Sequence, residues 1–401
     1  MLCMVEILNL AFTSREIFLI VFLAALGAFL YWDRKNVERQ YILFYRRTQK
    51  GIDLIDRIAK KAPRFWNIYG WSGVVTGFLS IIAGSALFIY SIGDMIRTQS
   101  ATNGPSLLLP GLVESNQFQA GVSFIPVEYW VIGIGILMVV HEMSHGIVTR
   151  TEGFELNSVG WIVMGILPGA FVEPKGENML PGDEANEDPD TGMWEQGNWK
   201  QRLKVLGAGS FANYVTGAIF LLAAIGLMST VSFQSDVQYT ASPNFSAYDE
   251  GMRNGTLIQI NGQNIENAAE VTSISQNLEI NDTVNIWSSE GNFTVTATEG
   301  PSDGAHIGIR VGQYAIIKDQ YSQYEGFLSW FISLLQTVAL LNIFIGLFNM
   351  LPIKPLDGGL MFETVVSEYA EDKMNVVNAV SLAGWTLILG SMVIAIIAGL
   401  L

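Results

Sequence analysis

One stretch of the chain carries side chains at a spacing that does chemistry: His141-Glu142-Met143-Ser144-His145, an H-E-x-x-H motif. Residues four apart lie on one face of a helix, so both imidazoles can reach one ion. Glu142 then stands within reach of the water that such an ion activates. The chain holds only 3 histidines, which makes an accidental pair around a glutamate at this spacing a poor explanation. Two histidines merely packed against helix neighbours are the plain alternative. Depth argues against it, because eleven residues separate His141 from Trp130 at the start of an apolar run. At 1.5 Å per residue that is about 16 Å, near the middle of a bilayer, where ionisable groups are costly and usually functional.

Two imidazoles leave a catalytic zinc ion one protein ligand short, since such sites use three and keep a position open. After the motif, the remaining histidine is His306, in a polar block away from the apolar run. The outstanding carboxylate is Asp357, in Asn349-Met350-Leu351-Pro352-Ile353-Lys354-Pro355-Leu356-Asp357-Gly358-Gly359. Two prolines and two glycines break the helix there, and broken backbone at membrane depth is tolerated where it lines a polar cavity. Asp before Gly-Gly is equally a good turn former at a helix start. Spacing alone leaves both readings of Asp357 open.

The elements that must position these groups are membrane helices. Half of the residues are hydrophobic, mean hydropathy is +0.34 and 15% are charged, against about a quarter in soluble domains. Apolar runs cover Ile17 to Trp32, Trp66 to Ile92, Trp130 to Val148, Val205 to Val231, Phe327 to Met350 and Val376 to Leu401. The expectation is a polytopic α-helical membrane protein with about six transmembrane helices, the first an anchor rather than a removable signal. A formal charge of -15 excludes nucleic acid as a natural partner, and the lone Cys3 can form no internal disulfide. Ten Lys and Arg lie between Arg34 and Arg64, which puts that loop in the cytoplasm. Alternation then puts Ser232 to Glu325 outside, and that block has only Arg253, Arg310 and Lys318 as basic residues. It also holds every N-x-S/T sequon, at Asn244, Asn254, Asn281 and Asn292.

The outer block reads as a small folded α+β domain. Leu257 to Ile260, Thr283 to Trp287 and Phe293 to Thr298 are strand-like and bounded by Asn-Gly and Glu-Gly turns. The run Ala247 to Gly262, with Gly251, Met252, Gly255, Leu257, Ile258, Ile260, Asn261 and Gly262, resembles a stretch of bacterial-type PDZ domains, with Thr256 where Asp is usual. On the inner side, Phe154 to Val172 is apolar, rich in Val and Ile, and broken by Gly160, Gly165, Pro168 and Gly169. Such a segment predicts a re-entrant β-hairpin dipping in from the cytoplasm. The acidic run Asp183, Glu184, Glu187, Asp188 and Asp190 reads as a solvated loop.

HEMSH in one span and NMLPIKPLDGG near the end of a later one resemble the two signatures of the site-2 protease family of intramembrane metalloproteases. The resemblance covers roughly Trp130 to the C-terminus. It implies one catalytic zinc ion held by His141, His145 and Asp357, Glu142 as general base, and Asn349 as a substrate-binding residue. Ala208-Gly209-Ser210-Phe211-Ala212-Asn213 resembles the family's AGPxxN segment, with Ser210 in place of Pro, so Asn213 is read here only as an interhelical bond former. The implied organisation is an N-terminal region at 1–122, two halves of a protease core at 123–231 and 316–401, and a PDZ-like domain at 232–315 between them. It implies single-span membrane proteins as substrates, membrane lipid as surroundings, and a multi-pass protein of the cell membrane. Two alternatives remain. A CAAX-type zinc protease takes a glutamate from another helix, and no matching motif sits in a span. A receptor or scaffold with a dead metal site has no need of Glu142, which is present.

Overall fold

The structure, a computed structural model, describes residues 14–40, 43–98, 104–113, 117–118, 121–164, 167–176, 194–242, 245–299, 305–370 and 373–400. Cys3, Gly165, the acidic run from Asp183 to Asp190 and the sequon at Asn244 lie outside them. The chain divides into two compact units, Met1–Leu222 with Leu334–Leu401, and Ala223–Ser333.

The chain begins with α1 (Ser14–Asp33), β1 (Glu38–Gln40), β2 (Leu43–Thr48), α2 (Ile52–Lys61) and α3 (Pro63–Thr98). Three short strands, β3 (Leu107–Gly111), β4 (Gln117–Phe118) and β5 (Val122–Pro126), lead into α4 (Val127–Thr151). The strands β6 (Leu156–Met164) and β7 (Leu167–Pro174) precede α5 (Trp199–Leu227). A β-rich stretch follows: β8 (Val231–Ala241), α6 (Ser246–Asp249), β9 (Asn254–Ile260), β10 (Gln263–Asn264) and α7 (Ala268–Gln276). It continues through β11 (Thr283–Ser288), β12 (Gly291–Thr296), β13 (Thr298–Glu299), β14 (Ala305–His306) and β15 (Ile309–Ile317). The last elements are α8 (Glu325–Asn349), α9 (Asp357–Tyr369) and α10 (Met374–Leu400). Among the described residues 6 helices, α1, α3, α4, α5, α8 and α10, are long and apolar enough to cross a membrane. The protein is accordingly a multi-pass membrane protein.

In lipid there is no hydrophobic drive between helices, so close van der Waals packing decides where they touch. On α3 that surface is a row of buried small residues, Gly70, Gly73, Gly77, Ser80 and Gly84, while Ile68, Val75, Leu79 and Ile82 stay exposed. A methyl group at Gly207 of α5 would lie 2.5 Å from the Gly73 carbonyl carbon, so these two helices cross backbone to backbone. The same α3 face meets Met361 of α9 at Gly77 and Leu347 of α8 at Gly84. The N-terminal region, read above as lying outside the protease core, is thus packed onto three of its helices.

The basic loop between the first two spans also carries structure that a charge count hides. Its strand β2 pairs antiparallel with β6, giving a four-stranded sheet in the order β1-β2-β6-β7. The predicted hairpin is the β6–β7 pair, with Val159 opposite Val172. Helix α2 turns Ile55 and Ala59 onto Ile147 of α4 and Val172 of β7. Arg150 grips Asp56 of α2 at two points, 2.5 Å from Nε and 2.9 Å from Nη2. That hydrogen-bonded guanidinium holds the Asp56 carboxyl below the usual aspartate range. The pair therefore contributes at neutral pH and is lost as pH falls through that lowered value.

In the second unit β12-β11-β9-β8-β15 form an antiparallel sheet whose inner face packs Val237, Tyr239, Leu257, Ile260, Val284 and Ile286. The three strand-like stretches read from sequence fall on β9, on β11, and across β12 to the first residue of β13. Asn267 caps α7 by accepting from the Glu270 N–H. A cleft of about 450 Å³ lies between Val271, Ile274 and Ser275 of α7 and the segment His306, Ile307 and Ile309. This unit exceeds the 232–315 span expected from sequence because it takes in the adjoining ends of α5 and α8.

Candidate metal centre

The motif is helical, so His141 and His145 project from one side of α4 and their Nε2 atoms lie 3.0 Å apart. Asp357 brings Oδ2 to 3.4 Å from His141 Nε2 and 3.2 Å from His145 Nε2. Among the described residues this is the one group of His, Cys, Asp or Glu close enough to share an ion. The geometry fits zinc. Bonds of about 2.0–2.1 Å at tetrahedral angles put neighbouring ligand atoms about 3.3–3.4 Å apart.

Asp357 arrives through the break that its sequence demands. Helix α8 ends at Asn349, the chain turns through Pro352 and Pro355, and α9 opens on Asp357. A side chain at Gly358 would overlap the Met350 carbonyl and lie 2.7 Å from Leu351 O, so glycine is needed for the fold-back. Ser381 Oγ accepts the Lys354 N–H and Trp385 Nε1 donates to Lys354 O, tying the break to α10. The start of α9 also offers the positive end of a helix dipole to the carboxylate. Asn349, expected at the substrate, donates from Nδ2 to Asp357 Oδ2 at 2.8 Å and thereby fixes that side chain.

Glu142 takes no place among the three ligands. Its Oε2 accepts the Val172 backbone N–H at 3.1 Å, which aims the carboxylate from the outer strand of the sheet. The next residue, Glu173, is 3% exposed and is held by Ser158 Oγ, Asn157 Nδ2 and Arg47 Nε at 2.6, 3.0 and 3.4 Å. Arg47 belongs to β2, so the N-terminal region reaches to within one residue of the strand position that orients Glu142.

The structure brings together all five residues singled out from sequence and adds others. His145 Nδ1 lies 2.8 Å from Val205 O, and His141 Nδ1 lies 3.1 Å from Asn213 Nδ2. Ser144 Oγ donates to Ala208 O, which ties the motif helix to α5. Gly209 is where α5 passes the imidazoles. A methyl group there would overlap His145 Nε2 and lie 2.6 and 2.7 Å from His141 Cε1 and Nε2. The Gly209 and Asn213 positions were visible in the AGSFAN stretch, but Ser210 in place of Pro obscured their weight. The Val172 and Val205 contacts are backbone groups, for which side-chain patterns carry no signal.

Residues 129–391, well over half of the chain, match the family model described as Peptidase family M50. An uncharacterised protein of Methanocaldococcus jannaschii is 25% identical over 362 residues, covering 86% of this chain and 84% of its own. A Clostridium perfringens protein whose name assigns it provisionally as a zinc metalloprotease is 24% identical over 327 residues, covering 65% of this chain and 94% of its own.

Proposed function

The chain belongs to peptidase family M50 and is a zinc metalloprotease of the multi-pass membrane class, and from that premise we propose that it cuts single-span membrane proteins in or beside the bilayer. The observation that carries this reading is the meeting of His141, His145 and Asp357 inside a bundle of apolar helices. A zinc ion bound there supplies Lewis-acid polarisation of the scissile carbonyl and acidification of water. Glu142 is the general base. With Oε2 held by Val172, its other oxygen is free to take the proton of the attacking water and hand it to the leaving amine. Asn349 holds Asp357 and, 3.4 Å from His141 Nε2, borders the position a substrate carbonyl would take.

A helical substrate has its carbonyls tied up internally and must be extended before attack. The β7 edge beside Glu142 supports a route. Val172 turns its N–H away from β6, and by strand alternation Ala170 presents its backbone to the same side. An extended substrate segment that pairs there lies alongside the base. The β6–β7 pair is accordingly read as a hairpin that re-enters the membrane from the cytoplasmic side. Mass spectrometric mapping of products from a reconstituted single-span substrate tests the proposal. A cut within or flanking the span is expected. Cuts confined to distant soluble segments would overturn it.

The second unit is read as a PDZ-like filter on the extracytoplasmic side, limiting which substrates enter. Its sheet with a cleft beside α7 supports a peptide-binding fold, and the scarcity of basic residues from Ser232 to Glu325 supports an outer location. In a Cys3→Ser background, a cysteine introduced beside Asn281 is expected to react with an impermeant reagent on intact cells. Labelling only after lysis would refute that side assignment.

A further inference from the structure

His141 presents Nε2 to the other two ligands, so a bound ion takes the Nε2 lone pair and the ring's proton must sit on Nδ1. A protonated Nδ1 buried between helices needs an acceptor. For His145 the backbone provides one, Val205 O at 2.8 Å. For His141 the group opposite Nδ1 is the side-chain amide of Asn213, 3.1 Å away on α5 and 0% exposed.

With the Asn213 NH2 turned to Nδ1, the zinc-binding tautomer would set two donors against each other. In that orientation Asn213 Oδ1 is also buried without a hydrogen-bond partner. A half turn about the last side-chain torsion removes both faults, because Oδ1 then accepts Nδ1–H and the amide's shape is unchanged. We infer that Asn213 is a positioning residue that selects the metal-binding tautomer of His141 by accepting its Nδ1 proton. An amide can also donate to the bare Nδ1 of the other tautomer, so one side chain serves the ring with and without the ion.

The inference rests on His141 being a zinc ligand as proposed above. Zinc affinity of the purified protein, measured by competition with a chelator, tests it in wild type, Asn213→Leu and Asn213→Asp. Leucine matches the size but accepts nothing, and loss of such a partner costs about 10- to 100-fold in metal affinity. Aspartate keeps the shape and accepts more strongly, so wild-type affinity or tighter is expected. A packing role alone predicts the opposite for aspartate, because a buried carboxylate would disturb the α4–α5 contact. Wild-type affinity in Asn213→Leu, or an Asn213→Asp variant that binds zinc about 10-fold or more below wild type, overturns the inference. Should Asn213→Leu fail to fold, Asn213→Asp decides alone. With only 3 histidines in the chain, ¹⁵N-histidine spectra add a second readout. The zinc-loaded wild type should show a protected Nδ1–H on His141 that Asn213→Leu loses. Undiminished zinc binding by His141→Ala would instead sink the ligand assignment itself.

Discussion

Glu142→Gln is expected to keep its zinc and to cut at least about 10²-fold more slowly than wild type, the lower end of what a positioned general base contributes. The two side chains are nearly equal in volume, and the glutamine carbonyl can still accept the Val172 N–H that orients Glu142. None of the three ligands is replaced, because Glu142 is not one of the group His141, His145 and Asp357. What disappears is the capacity to take a proton from water. Zinc per purified protein by elemental analysis, beside the rate of substrate cleavage, separates the roles. A variant that cut at the wild-type rate would remove Glu142 from the mechanism, and one that lost its zinc would make Glu142 a ligand.

The second large effect is on the metal itself. Asp357→Ala leaves two imidazoles and strips Asn349 of its 2.8 Å partner, so zinc and activity should both be lost. Gly209→Ala should do the same with every ligand in place, because its methyl group would occupy space 2.6–2.7 Å from the His141 ring. Alanine is the better helix former by about 1 kcal/mol, so a weakened α5 cannot be the reason. Elemental analysis reads both variants. A full equivalent of zinc in Asp357→Ala would mean that another carboxylate completes the site. A full equivalent in Gly209→Ala would mean that α5 does not set the space around the imidazoles.

Much of this centre was legible in the sequence because its chemistry is local. His141 and His145 are a helical turn apart, and the prolines and glycines around Asp357 announce a break wherever they stand. The six long apolar helices followed from length and hydropathy, and the β6–β7 pairing from Val and Ile interrupted by Gly and Pro. What escaped depends on which distant segments meet. Strand β2 hid in a loop whose arginines speak first of topology, yet Arg47 reaches Glu173 across β6. The α3 glycines look like tolerated helix weakeners until Gly207 is set against Gly73. Asn213 was discounted because its neighbour Ser210 departs from the family pattern, whereas its 3.1 Å approach to His141 depends on the α4–α5 contact and not on that neighbour.

Removal and return of zinc in the wild-type protein tests the central claim most directly. Purified protein is stripped with a chelator, reconstituted with a single-span substrate, and given back one equivalent of zinc while product is followed by mass spectrometry. Cleavage in or beside the span is expected to stop on stripping and to resume with zinc but not with magnesium or calcium, whose preferred all-oxygen surroundings a two-histidine site does not provide. Cleavage that persisted in the stripped protein, or a zinc-restored protein that left the substrate whole, would contradict it.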